Sequence, residues 1–477
     1  MKSEVRLQKL DKLKKMARES NIEYVDLKFS DLLGVWHHLT IPVSSMTDDL
    51  FESGVGVDGS SLPGFASIEK GDMILLPDPS TAFIDRFFER TTLSLLGDIM
   101  EVGTDIVPYS RNPRRVTADA EKYLKKVIPG SSIIVGPEFE FYVFDQVRFH
   151  QGAQSAFYQL ESAEASWNGV EDKEGLGFKI PYKRGYHVSP PADRFYNLRS
   201  EISSLLAEVG VELKYHHHEV GSAGQHEIET KFGTMFHMAD KTMLIKYIIK
   251  NHCYKYQKSA TFMPKPLFNE PGSGLHVHQF IANDKGSIFF DPKGPARFSQ
   301  VGLHYIGGLL KHADSLLAFT NPSTNSFKRL VPGFEAPVAG TYSVGNRTAC
   351  IRIPGYQRNA KTHRLEFRPP DGTMNPYLAF AAMLMAGLDG IKNKIDPGLP
   401  FDKDLETLSP KELSDIPHLP VSLDKALDAL RADNSYLLQG KVFTEDLIES
   451  WLKLKGKEVA EIQVRPTPHE FELYYNL

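Results

Sequence analysis

Glu138 and Glu140 stand two residues apart in Ile133-Ile-Val-Gly-Pro-Glu-Phe-Glu-Phe-Tyr-Val-Phe144, a run rich in β-branched and aromatic residues that predicts a strand. With a side-chain period of two, both carboxylates share one face while Phe139, Phe141 and Val143 take the other. Their Cα atoms are then roughly 7 Å apart, far enough for each to serve a different cation. A second crowded stretch is Tyr215-His-His-His-Glu-Val-Gly-Ser-Ala-Gly-Gln-His-Glu-Ile-Glu229. Gly221 and Gly224 let the backbone reverse there, which brings Glu219 back beside Glu227. In Gly272-Ser-Gly-Leu-His-Val-His-Gln279, His276 and His278 share a face. In His363-Arg-Leu-Glu-Phe-Arg368, Arg364, Glu366 and Arg368 line up opposite Leu365 and Phe367.

Any one of these is more often a solvated sheet face. Four segments that gather carboxylates, imidazoles and guanidinium groups are a different matter, because inward-facing charge is costly unless it binds a metal or an anion. They point to a divalent-metal and phosphate site. Five glutamates with one histidine are mostly hard oxygen donors, which suit Mg²⁺ or Mn²⁺ better than zinc. Arginines accompany them: Arg329 lies with Glu335 in the loop-like stretch 321–337, and Arg347 and Arg352 in 346–354. Alone, each stretch reads as surface ion pairs, but arginine clamps carboxylate and phosphate bidentately, and beside a metal site that favours phosphoryl transfer. No P-loop occurs. Gly54-Val-Gly-Val-Asp-Gly59 matches a dinucleotide fingerprint, yet Ser60-Ser-Leu-Pro-Gly-Phe65 follows it and cannot start a helix cleanly. A bound nucleotide must therefore have its phosphates held by metals and arginines.

The elements that position these residues belong to a 477-residue chain, long enough for two domains of unequal size. Ile22–Phe29 and Thr91–Leu96 are the clearest strands of the first hundred residues, and the stretch 108–113 reads as a linker. After it, Thr117 is expected to cap a helix through Ala120, Leu124 and Val127. Helices are expected over Leu198–Val209 and Met238–Cys253, and the last seventy residues read as largely helical. Asn375 and Pro376 open an apolar helix over Tyr377–Leu388, shorter than the ~20 residues that cross a bilayer, so it belongs to a core. Leu7, Leu10, Leu13 and Ala17 make one stripe of an N-terminal amphipathic helix, with no signal-peptide pattern. A net charge of −5 argues against a nucleic-acid binder, and Cys253 and Cys350 alone make no disulfide framework, which fits a reducing cytoplasm.

Beyond these readings, the chain resembles bacterial-type (type I) glutamine synthetases nearly end to end. The resemblance rests on Val57-Asp-Gly-Ser-Ser61, Gly136-Pro-Glu-Phe-Glu140, His216-His-His-Glu219, Ala260-Thr-Phe-Met-Pro-Lys-Pro266 and Gly272-Ser-Gly274. It continues in Asn325-Ser-Phe-Lys-Arg-Leu-Val-Pro-Gly-Phe-Glu335, Asn346-Arg347, Arg364-Leu-Glu-Phe-Arg368 and Glu470-Phe-Glu-Leu-Tyr-Tyr475. It implies an α+β fold: an N-terminal β-grasp domain over 1–110 and a catalytic domain over 111–477. The latter would carry a curved antiparallel sheet funnel flanked by helices and a helical C-terminal part. It also implies a cytoplasmic homo-dodecamer with active sites between subunits, and two or more Mg²⁺ or Mn²⁺ ions in each.

By this resemblance Glu140, Glu219 and Glu227 hold one metal, and Glu138, His276 and Glu366 the other. Arg347 and Arg368 meet the transferred phosphoryl group, Gly272, Arg329, Glu335 and Arg368 the glutamate side, and His278, Arg347, Arg352 and Lys361 the ATP. Asp58, from the neighbouring subunit, takes a proton from ammonium, and Glu335 closes the site. The implied reaction joins ammonia to the γ-carboxylate of L-glutamate through γ-glutamyl phosphate, giving L-glutamine, ADP and phosphate. A γ-glutamyl ligase using an organic amine or polyamine, and a non-enzymatic member of the family, are the alternatives. Pro271, Phe280 and Gly345 depart from the family pattern, where asparagine, serine and arginine are usual. In the loop Asp402–Glu412, Glu406 stands where some relatives carry a tyrosine that accepts AMP, so control is expected from feedback inhibitors or a regulatory protein.

Overall fold

The structure, a computed structural model, describes residues 2–103, 106–169, 176–403, 408–409, 411–412 and 416–477. Its N-terminal sheet holds seven strands: β1 Tyr24–Ser30, β2 Trp36–Pro42, β3 Val55–Asp58, β4 Asp72–Pro77, β5 Phe83–Asp85, β6 Thr92–Val102 and β7 Ile106–Pro108. They run in the order β2-β1-β6-β4-β3, with β5 and β7 also on β6, and only β1 and β6 are parallel. β3 is thus an edge strand. The three residues after it form a 3₁₀ turn, Gly59–Ser61, and no helix follows, so the glycine pattern there binds no dinucleotide in the Rossmann manner.

β1 is buried on both faces. Val25 and Leu27 pack into the core, while Asp26 and Lys28 pair at 2.5 Å on the other side. That pair survives burial because Lys28 also lies 3.4 Å from Asp85 and sits over the Tyr247 ring at 4.7 Å. Tyr247 belongs to the helix Met235–Lys255 of the larger part, so the N-terminal sheet is fastened there. Arg114 makes a second fastening, bonding to Asp78 at 2.8 Å, Asp98 at 3.0 Å and Asp240 at 2.9 Å. Its helix runs Pro113–Val127 with Asn112 before it. Thr117 is therefore not a cap: it lies one turn inside, buried, and donates to Tyr377 O at 2.7 Å.

The hairpin β9 Gln146–Gln151 and β10 Ala156–Glu161 stands apart from a second large sheet. That sheet contains β8 Ser132–Phe144, β11 Leu213–His218, β12 Gln225–Thr230, β13 Gly233–Thr234, β14 Ser259–Thr261, β15 Val277–Asn283, β16 Gly286–Ser287, β17 Ala339–Val344, β18 Ala349–Ile353 and β19 Leu365–Phe367. Its order is β11-β12-β8-β15-β19-β18-β17, with β13 and β14 on β8 and β16 on β15. The expected antiparallel pairing holds throughout except between β17 and β18, which are parallel.

Helices back the sheet. Tyr196–Glu208 and Met235–Lys255 match the expected segments, and Pro376–Asn393 opens as the sequence predicts, with Asn375 Oδ1 accepting from Tyr377 N at 3.1 Å. This helix is buried from Pro376 to Gly390 and crosses the helix Gln300–Lys311 almost in backbone contact. A Cβ on Gly308 would meet Ala386 O at 2.1 Å, so no side chain fits at that crossing. In the N-terminal helix Lys2–Glu19, Leu10, Leu13 and Ala17 are buried as their spacing predicts. The C-terminal helices Leu423–Ala432, Glu445–Gln463 and Pro468–Tyr474 complete the chain.

Candidate active site

Cross-strand register gathers the charged residues. On β8, Phe139, Phe141 and Val143 are fully buried, and Glu138 and Glu140 take the opposite face. β12 sets Glu227 opposite Glu140 and Glu229 opposite Glu138, and β11 sets His217 opposite Glu227. On the other side of β8, β15 and β19 bring His278 opposite Glu366. Like charges directly opposite one another destabilise a sheet, so such a ladder implies something that neutralises it.

Among the described residues three groups result whose ligand atoms all lie within 4.8 Å of one another: Glu138, His276 and Glu366; Glu138, Glu229 and His278; and His217, Glu219 and Glu227. His276 Nδ1 lies 3.3 Å from Glu138 and 3.8 Å from Glu366. Glu140 stands between the groups. Its Oε1 is 3.6 Å from His276 Nδ1 and its Oε2 accepts from Gly274 N at 2.7 Å. Glu219 does come back beside Glu227, and the third side chain within reach of both is His217.

The charges are unbalanced. Burial, then the neighbouring carboxylates Glu140 and Glu227, push Glu219 up to about 9. Glu227 is raised well above the usual range by burial, Glu138 and Glu140. The other side is the reverse: burial alone would raise Glu138 and Glu366, but His278 and His276 outweigh it at Glu138, and Arg368 brings Glu366 down to about 2. Glu229 Oε2 and His278 Nδ1 are buried with no hydrogen-bond partner. Crowded carboxylates held partly protonated, with orphaned acceptors among them, fit divalent cations, and their oxygen-rich set suits Mg²⁺ or Mn²⁺.

Arginines close one side. Arg368 Nη1 donates to Glu366 Oε1 at 2.5 Å and Arg352 Nη1 to Glu366 Oε2 at 2.6 Å. Arg329 is buried, donates to Pro369 O at 2.7 Å and places Nη2 3.0 Å from His276 Nε2. A Cβ on Gly274 would meet Arg329 Nη2 at 2.5 Å, and one on Gly272 would meet Arg329 Cγ at 2.7 Å, so this loop has to be glycine. Arg347 is half exposed with Nε 3.9 Å from Glu335, whose own φ is +53°. Lys361 is exposed on a short 3₁₀ turn. Asp58 is not in the cluster: its carboxylate accepts from Ser60 and Ser61 at the far edge of the N-terminal sheet.

The family model described as "Glutamine synthetase, catalytic domain" matches residues 110–474, and "Glutamine synthetase, beta-Grasp domain" matches 21–102. A glutamine synthetase of Frankia alni is 49% identical over 463 residues, covering 96% of this chain and 98% of the relative. One of Mycolicibacterium smegmatis is 48% identical, covering 98% and 99%. The chain belongs to the glutamine synthetase family. Its fold agrees with that of the solved Plasmodium falciparum glutamine synthetase, with a TM-score of 0.89 at 28% identity over 98% of each chain.

Within this glutamine synthetase fold, two of the three departures, Gly345 and Phe280, have local explanations, and nothing in the structure explains proline at 271. Gly345 has φ +102°, where a side chain would be strained. Phe280 is buried and meets Phe232 edge-on at 5.9 Å. Pro271 offers its carbonyl to Tyr142 OH at 2.7 Å. Glu229 and His217 belong to the site although sequence reasoning did not single them out. The signal for Glu229 was present, since it lies two residues after Glu227 on one strand face, as Glu140 does after Glu138. His217 is hidden in a run of three histidines, and only the register with β12 selects it.

Proposed function

We propose that this chain is a glutamate–ammonia ligase, making L-glutamine, ADP and phosphate from L-glutamate, ammonia and ATP. The observation that carries this is the 47–49% identity, across 96–98% of the chain, to relatives named glutamine synthetase. The site chemistry agrees with it. A carboxylate is a poor electrophile, so the γ-carboxylate of glutamate is first phosphorylated by ATP, and ammonia then displaces phosphate from the γ-glutamyl phosphate.

Glu138, His276 and Glu366 would hold one Mg²⁺ or Mn²⁺, and Glu140, Glu219 and Glu227 another; when bound, these cations neutralise charge on the phosphates. Arg347 and Arg368 stabilise the negative charge that develops as the phosphoryl group moves. Arg329, buried against the Gly272–Gly274 loop, orients the glutamate, with Glu335 at the edge of that site. His278, Arg352 and Lys361 face the nucleotide. Asp58 of a neighbouring copy accepts the proton that ammonium must lose to become a nucleophile, and Glu335 shields the acyl phosphate from water and takes a later proton.

A homo-oligomer, a dodecamer by resemblance, is what the role given to Asp58 requires, since its carboxylate is bonded within its own turn and belongs to none of the ligand groups. Exposed Phe471 and Tyr474 on the last helix, Tyr475 just after it, and Phe149 and Tyr158 on the β9–β10 hairpin support assembly, since a lone chain would leave them in water. Two buried free cysteines support a cytoplasmic setting. The test is glutamine formation from glutamate, ATP, Mg²⁺ and ammonia, with a panel of organic amines in parallel. A marked preference for an amine over ammonia would overturn the acceptor.

A further inference from the structure

β17 and β18 lie side by side and parallel, yet only residues 345–348 join them. Parallel neighbours ordinarily need a dozen or more linking residues. Ala339 pairs with Ala349 and Val344 with Ile353, so the link has to travel back along β17 before β18 begins. Arg347 sits on that returning link. Four residues so constrained need fastening from outside, and it comes from two sides.

On the side of the carboxylates, Arg368 Nε donates to Arg347 O at 2.9 Å and Arg352 Nε to Gly345 O at 3.3 Å. On the other side, Phe401 N donates to Tyr342 O at 2.7 Å and lays the next residues along β17. Asp402 Oδ1 then accepts from Ser343 Oγ at 2.6 Å and from Val344 N at 2.8 Å. Ser343 is fully buried, and its Oγ in turn accepts from Asn346 N at 3.1 Å. The Asn346 side chain continues the chain of bonds, donating to Lys403 O at 2.8 Å and accepting from Thr348 N at 2.9 Å. Of the two residues flanking Arg347, Asn346 is thus tied to Lys403 directly and to Asp402 through Ser343, and Thr348 is tied to both through Asn346.

We propose that Asp402 is a positioning residue for Arg347: by bonding Ser343 and Val344 it fixes the returning link and so the direction of the Arg347 guanidinium. This rests on the reading of Arg347 as an arginine of the phosphoryl-transfer step. Asp402 acts through its bonds to β17. Its bonds are charge-assisted, and the one to Ser343 ends on a buried hydroxyl, so water replaces it poorly once the carboxylate is gone. Glutamate is held chiefly elsewhere, on Arg329 and the Gly272 loop, and meets this link only through Glu335, 3.9 Å from Arg347 Nε, so its affinity should change far less than the rate.

The experiment compares D402A, D402N, R347A and the D402A/R347A double variant in the full-length assembly, with kcat, both KM values and thermal stability measured. D402A is expected to lower kcat about tenfold or more, since a misplacement near 1 Å can cost about a hundredfold. The KM for glutamate changes far less, D402N recovers most of the rate because its Oδ1 still accepts, and the double variant is no slower than R347A. Losses that multiply in the double variant overturn the proposal, as does a D402A kcat at the wild-type value while R347A is impaired. A wild-type rate in R347A instead removes the reading of Arg347 on which the proposal stands. Should D402A fail to fold, S343A breaks the same link from the buried end and carries the comparison with the same expectations.

Discussion

His278 holds Nε2 2.6 Å from Glu138 Oε1, and its other ring nitrogen is buried without a partner. Glu138 reaches His276 as well, so it is shared by two of the three ligand-capable groups. Its loss disturbs both. Glu138→Ala and Glu140→Ala are each expected to lower glutamine formation by about a hundredfold or more, the scale of several kcal/mol that metal-assisted charge stabilisation supplies. The assembly should stay intact by size-exclusion chromatography. Full activity in either variant, or in excess EDTA, contradicts a two-metal site.

Asp58 offers a separate test, because its carboxylate is engaged only within its own turn, and the hydrogen bonds from Ser60 and Ser61 lower its pKa. It is therefore anionic at neutral pH, the state from which a proton acceptor must start, although the same hydrogen bonds make it a weaker base. Asp58→Ala should lower kcat/KM for ammonia about a hundredfold or more, the usual contribution of a general base, while ATP and glutamate binding change little. Mixed oligomers of Asp58→Ala and Glu138→Ala chains should regain activity, since each supplies what its neighbour lacks. Equal losses for all three substrates, or no complementation, would count against it.

The raised carboxylates give a pH dependence of definite sign. With Glu219 pushed up to about 9 from its ordinary 4.5, the folded chain binds a proton between those values that the unfolded chain has shed. Stability of the metal-free protein therefore falls as pH rises toward 9, and Glu227, raised for the same reason, adds to the fall. Glu138 and Glu366 are shifted down, so their contribution is constant above the ordinary carboxylate range. The melting temperature in EDTA should be lower at about pH 8.5 than at about pH 6.5, and saturating Mn²⁺ should raise it more at the higher pH. A metal-free melting temperature that is flat or rises over this interval refutes the charge crowding.

The face of β8 was legible because strand alternation is local: Glu138, Phe139, Glu140 and Phe141 declare it by themselves. The same holds for Asn375 and Pro376 at the start of the core helix. What stayed hidden depends on partners distant in sequence. Asp26 and Lys28 break the alternation of β1, and Asp85 and Tyr247, with His38 and Thr40 of β2, explain why they can be buried. Thr117 looked like a cap because threonine favours such positions, but Pro113 starts the helix a turn earlier. The parallel pair β17 and β18 contradicts the usual length of a crossover, and the bonds that permit it come from Phe401, Asp402 and Lys403. For the site itself, the resemblance named residues; the register explains why Glu229 and His217 join them.

The loop that follows Asp402 bears on control. Glu406, where some relatives carry a tyrosine that accepts AMP, lies outside the described residues, so the argument is chemical. No tyrosine occurs between Tyr377 and Tyr436. A phenol oxygen forms a phosphodiester with AMP that persists until an enzyme removes it. A carboxylate could form only a mixed anhydride, which water hydrolyses readily, so Glu406 cannot store such a signal. Serine and threonine in this stretch, Thr407 and Ser409, offer weaker nucleophiles, and Ser409 is engaged with Glu412 at 2.8 Å. No stable adenylylation of this loop is therefore expected, and control falls to feedback inhibitors or a regulatory protein. Incubation with an adenylyltransferase and ATP, followed by peptide mass spectrometry across residues 396–416, decides it: a peptide carrying the mass of AMP refutes the prediction, and an unmodified loop beside a modified tyrosine-bearing control enzyme supports it.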